Sequence, residues 1–143
     1  MRKGFSLLEL LVALAVFGLL SAAILASLLG VFRVNRSAGL EARAVVVAKD
    51  YLERVRREST YNGTTLTLPA MSQTGGFSPT LRAAGRTNVD PNQTLNFVSC
   101  SGSPSTGYTC PVSCRNGPCP LVAVELTLKS GSKTYTFYRE WTP

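Results

Sequence analysis

An α+β fold is predicted for this chain: one long N-terminal α-helix, apolar all round in its first half and amphipathic in its second, with the second half packed on a small antiparallel β-sheet. Three observations predict it. No proline precedes Pro69, and the run from Leu10 to Phe32 holds 23 residues without a charge, enough for a helix to cross a hydrocarbon layer of about 30 Å. Past that run, Val45, Ala48, Leu52 and Val55 recur at helical spacing, with Arg43, Lys49, Arg54 and Arg57 largely on other faces. From residue 94 onward the apolar period shortens to two, as half-buried strands require.

The elements follow in order. A helix unbroken from near Phe5 to near Ser59 is about 54 residues long, a rod of about 80 Å at ~1.5 Å per residue. Asn62-Gly63 supplies its stop, since both types tolerate the left-handed conformation that ends helices. Residues 59–93 read as a connection rich in loops, in which TTLTL at 64–68 makes a short strand while QTGGFSP and GRTNVDPNQ make turns. TLNFV at 94–98 alternates Leu95 and Phe97 as a strand does. LVAVELTL at 121–128 sets Val122, Val124, Leu126 and Leu128 on one face, and KTYTFYREW at 133–141 does the same with Tyr135, Phe137 and Trp141. The short Ser130-Gly131-Ser132 link makes them a hairpin. Its apolar face is the expected cover for Val45, Ala48, Leu52 and Val55, in a sheet of three or four strands.

Of 143 residues, about 110 remain beyond the apolar segment, one small domain with a modest core. Cys100, Cys110, Cys114 and Cys119 all lie in that part. An even number of cysteines in an exported domain reads as a disulfide framework, here in a loop joining two strands at the sheet's edge. Three pairings are open. Zinc is the competing reading, and the spacing opposes it: there is no C-x-x-C knuckle and no histidine anywhere. No metal or cofactor is expected.

The formal charge of +7 includes Arg2 and Lys3 ahead of the apolar run. A basic balance suits an anionic partner such as DNA, but the charges are spread along the chain. The densest cluster, Arg54, Arg56 and Arg57, is interleaved with Glu53 and Glu58 and reads as a solvated helix face. An enzyme has little to recommend it. The chain lacks a histidine for a triad base and a phosphate-binding G-x-x-x-x-G-K-[ST] loop, and the carboxylates past the helix are Asp90, Glu125 and Glu140. With Lys129, Lys133 and Arg139 nearby, Glu125 and Glu140 are expected in surface ion pairs.

The leader holds the sharpest signal. Arg2 and Lys3 before an apolar run suggest a secretory signal peptide, but the run is longer than the usual apolar core, and Ala13-Leu14-Ala15 sits in its middle. An ordinary anchor explains the length and leaves Glu9 unexplained, although a carboxylate at the edge of a span is costly. Lys3-Gly4-Phe5-Ser6-Leu7-Leu8-Glu9 followed by an apolar stretch resembles the class III prepilin signal of type IV pilins and of type II secretion pseudopilins. Ala48-Lys49-Asp50-Tyr51-Leu52-Glu53-Arg54-Val55-Arg56 is similar to the helix of PilV-like minor pilins.

The resemblance implies a type IV pilin-like fold and a division of the chain. Residues 1–4 are a leader cut after Gly4 by prepilin peptidase, 5–32 a transmembrane and assembly helix, and 33–143 an exported head comprising helix 33–58, loop 59–93 and sheet 94–143. It implies methylation of the new amino group on Phe5, and a Glu9 that attracts the terminal amine of a neighbouring subunit during assembly. The partners implied are other pilin subunits, the peptidase, the inner-membrane assembly platform and inner-membrane lipid. The function implied is that of a minor pilin, first anchored in the bacterial inner membrane and then built into a surface filament to initiate it, prime its tip or display an adhesive or DNA-contacting surface. A minor pseudopilin of a type II secretion system is the alternative. Many major pilins carry a kinking proline in the apolar half and a single C-terminal disulfide loop. This chain has no such proline, and its four cysteines depart from the single loop, a departure that favours a specialised minor subunit.

Overall fold

The computed structural model describes residues 7–87, 94–115 and 117–143. They fall into two compact units, Met1–Leu40 and Glu41–Pro143. Gly4, Phe5 and most of the turn expected at 85–93, including Asp90, lie outside the described residues.

The first unit is helix. α1 (Leu7–Glu58) begins in it and supplies the first helix of the second unit, consistent with a sequence free of proline and with charges matched to the dipole: Glu9 in the first turn, Arg56 and Arg57 in the last. The second unit adds eight strands: β1 (Thr60–Tyr61), β2 (Thr65–Leu68), β3 (Ser78–Arg86), β4 (Val98–Ser99), β5 (Ser101–Ser103), β6 (Gly107–Pro111), β7 (Leu121–Ser130) and β8 (Lys133–Trp141). They form two four-stranded antiparallel sheets rather than the single sheet expected, ordered β1-β2-β6-β5 and β4-β3-β7-β8. This is the α+β, type IV pilin-like architecture.

The β7–β8 hairpin is as the period-2 pattern predicts. It turns on Gly131-Ser132, with Ser130 paired to Lys133 and Gly131 at φ 58°, a left-handed conformation that a side chain would strain. Val122, Val124, Leu126 and Leu128 are fully buried against Ala44, Ala48, Tyr51, Leu52 and Val55 of α1 in one apolar cluster. Val45 is not part of it: the residue is 47% exposed, and Ala44 and Tyr51 complete the stripe instead. Ala44 is fully buried in that cluster, and Tyr51 stays buried by donating its hydroxyl to the Pro69 carbonyl at 3.0 Å.

Four further expectations need correction. The helix ends at Glu58, and Asn62-Gly63 is the turn between β1 and β2, where Asn62 Oδ1 accepts the amides of Thr64 at 3.1 Å and Thr65 at 2.8 Å. The 59–93 connection holds β1, β2 and β3, and β3 pairs with β7 over nine residues. Pro79 is tolerated there because β4 pairs only with Arg82 and Ala83, leaving that side of β3 open at Pro79. Of TLNFV only Val98 is in a strand; Thr94–Phe97 keep their alternation of exposed and half-buried residues without a ladder partner. The cysteine-bearing stretch is not a loop at one edge, since it contains the β5–β6 hairpin.

Glu125 and Glu140 do sit in ion pairs, but their partners come from the unforeseen β3: Arg82 at 3.3 Å and Arg86 at 3.0 Å. Arg139 reaches α1 instead, donating to Glu53 at 2.7 Å. That hydrogen bond and the positive charge behind it hold the Glu53 carboxyl below its ordinary range. A carboxylate with a depressed pKa stabilises the fold fully above its unfolded pKa, and loses that contribution as pH falls through the folded value. Thermal unfolding across the acid range should therefore show wild type losing more stability on acidification than Glu53→Gln.

Candidate functional site

From Leu7 to Arg36 every residue of α1 is exposed except the half-exposed Ser21. Leu7 is 77%, Leu19 74% and Phe17 69% accessible, and they point in different directions around the helix. Among the described residues α1 is the helix long and apolar enough to cross a membrane. An uncharged cylinder of about 23 residues, ~35 Å long and ~10 Å across, presents on the order of 1,000 Å² of apolar surface. A monomer rarely exposes a patch of more than a few hundred Å². Covering the cylinder with lipid or other helices yields roughly 25 kcal/mol before opposing terms. A carboxylate costs about 3 kcal/mol even at a bilayer's centre. Against the apolar term, one carboxylate is a small opposing cost.

Glu9 stands exposed in the first turn of α1, with no hydrogen-bond or ion-pair partner among the described residues. Phe5 and Gly4, which the sequence places four and five residues before it, lie outside the described residues, so the site is described from Leu7 onward.

The second candidate group, the cysteines, forms two disulfides: Cys100–Cys110 and Cys114–Cys119. The first joins the sheets. Cys100 is the single residue between β4 and β5, its amide donating to Leu81 of β3 at 3.0 Å while its sulfur binds Cys110 on β6. The second closes the turn after β6, and Tyr61 anchors it: the Cys119 amide donates to the Tyr61 hydroxyl at 3.1 Å, and that hydroxyl donates to the Gly63 carbonyl at 2.8 Å. Gly85 of β3 lies directly beneath, where a Cβ would meet Cys119 Sγ, Cys114 Sγ and Val112.

Tyr61 and Gly85 were not legible as support for this group, since their roles depend on β1 and β3. A cleft of about 450 Å³ beside them is lined by Thr94, Asn96, Ser113 and Arg115, with no carboxylate or free thiol among its described lining residues.

Residues 1–25 match the family model of the prokaryotic N-terminal methylation motif, the type IV prepilin signature. No curated protein and no solved structure matches the chain. The motif at the head of this α+β architecture supports a type IV pilin- or pseudopilin-like precursor. Precursors with the motif are structural subunits, and the motif implies processing by prepilin peptidase and assembly with other pilin subunits. Together with the apolar helix it fits membrane anchoring.

Proposed function

We propose that the chain is a minor type IV pilin. Prepilin peptidase removes residues 1–4 by cutting after Gly4, the amine of Phe5 is methylated, and 5–32 hold the subunit in the inner membrane until assembly draws it into a filament, with 33–143 exported as the head. The observation that carries this reading is Glu9: a carboxylate in the first turn of α1, without a partner among the described residues, at the head of a stretch to Phe32 that is otherwise uncharged and, Ser21 aside, exposed. After the cut it is the fifth residue, close to a new positive amine. Pairing with the amine of an adjacent subunit turns a costly charge into a register device, because a helix docked at the wrong depth leaves both charges unmatched. The two disulfides between Cys100 and Cys119, rather than a single C-terminal loop, support a specialised minor subunit that primes or tips the filament.

The test is Glu9→Ala. The variant is expected to insert and be cleaved like wild type but to be largely missing from sheared filaments, since it loses the pairing and keeps the apolar surface. Incorporation at the wild-type level would refute the pairing role.

A further inference from the structure

Between Glu9 and Glu41 the charges are Arg33 and Arg36 alone. Both are exposed, and neither has an ion-pair or hydrogen-bond partner among the described residues. Three positions apart on one helix, they are neighbours on one face. The nearest acid beyond them, Glu41, stands five positions past Arg36, not at the spacing of three or four that pairs charges along a helix. From Glu9 to Arg33 the rise is about 36 Å, which clears a hydrocarbon core of about 30 Å and stops among the headgroups. If Glu9 marks one boundary of the layer, both guanidinium groups stand at the other, on the side from which the head continues.

Their presence there needs a reason. Basic residues flanking a span normally favour the cytoplasmic side. Here Arg2 and Lys3 precede the span, while Arg33, Arg36, Arg43 and Lys49 follow it within 17 residues of Phe32. The balance opposes export of the head. A guanidinium's planar fork matches phosphate oxygens bidentately, and phosphate is the anion present at that depth.

We infer that Arg33 and Arg36 form a lipid-phosphate site: together they bind the headgroup of an anionic phospholipid at the head-side end of the span. The site sets the depth at which the helix waits and holds it until assembly. This rests on the reading of Leu10–Phe32 as a membrane span, and not on cleavage or methylation.

The experiment uses the full chain in lipid nanodiscs containing phosphatidylglycerol and phosphatidylcholine, with the lipids retained on the protein counted by native mass spectrometry. Each basic residue near an anionic surface contributes about fivefold in affinity, so the pair corresponds to about 30-fold. Wild type should retain phosphatidylglycerol preferentially, Arg33→Gln/Arg36→Gln should lose about 30-fold of that preference, and Arg33→Lys/Arg36→Lys should keep part of it. Equal retention of the two lipids by wild type, or an unchanged preference in the glutamine variant, overturns the site. So does a result in which the arginines bind a neighbouring subunit instead, with Arg36→Gln weakening self-association in phosphatidylcholine alone. Alkaline washing of membranes separates the two readings: a chain that washes out overturns the span as well, whereas a retained chain without lipid preference overturns only the phosphate site.

Discussion

Replacing Cys100 and Cys110 by serine is expected to lower the stability of the head by roughly 2.5–3 kcal/mol, read from denaturant unfolding of the full-length protein in detergent. The figure follows from the entropy released when a closed loop of about ten residues is opened in the unfolded chain. Cys114–Cys119 closes about half that length, so its removal should cost less, about 2 kcal/mol. The larger loss also has a location. Cys100 belongs to the β4-β3-β7-β8 sheet through the hydrogen bond its amide donates to the Leu81 carbonyl and to the other sheet through Cys110. Hydrogen exchange in the double variant should therefore rise first in β5 and β6, whose strands of three and five residues carry few apolar anchors, while β3 and β7 stay protected. Uniform loss of protection across both sheets would contradict the link.

The second large effect concerns a residue with no side chain. Gly85→Ala is expected to destabilise the head by about 1–3 kcal/mol through overpacking. The added methyl would be aimed at two bonded sulfurs and Val112, none of which ends a flexible side chain. The cause can be isolated. Where Cys114 and Cys119 are both alanine, the sulfurs are gone and Gly85→Ala should cost clearly less than in wild type, a non-additivity expected of groups in contact. Equal costs in the two backgrounds would mean that the disulfide is not what excludes a side chain at Gly85.

The apolar helix and the β7–β8 hairpin were legible because in both the pattern of burial is carried by the residues themselves. A charge-free run needs no partner to be recognised, and Val122 to Leu128 alternate without interruption. β3 was illegible for the opposite reason. Pro79 and Gly85 read as breakers, and Ala83 and Ala84 are too small to show which face is buried; in fact both are buried. Ala84 sits opposite Ala123 and in one row with Glu140 on the face away from the main core, beside the ion pair that Glu140 makes with Arg86. β5 and β6 hide in Ser-Gly-Ser and Gly-Tyr-Thr-Cys-Pro, a composition typical of loops, and a covalent link holds them in place where an apolar pattern is missing. Ala44 and Val45 are adjacent and both apolar, so the side-chain pattern alone does not tell which of them faces the core; it is Ala44, fully buried, while Val45 is exposed. The candidate assembly site was readable from Lys3 to Glu9 as a motif, whereas the disulfide pairing needed the strands that bring Cys100 beside Cys110.

The reading stands or falls on the amino terminus. Mass spectrometry of the non-reduced protein from its own cell envelope, with peptidase-deficient cells as control, tests it most directly. The account predicts a chain that begins at N-methylated Phe5 and weighs four hydrogens less than its reduced form, one pair for each of the disulfides Cys100–Cys110 and Cys114–Cys119. A mature chain that still carries Met1 or Arg2 with its leader unmodified would contradict it, and α1 would then be an ordinary membrane anchor.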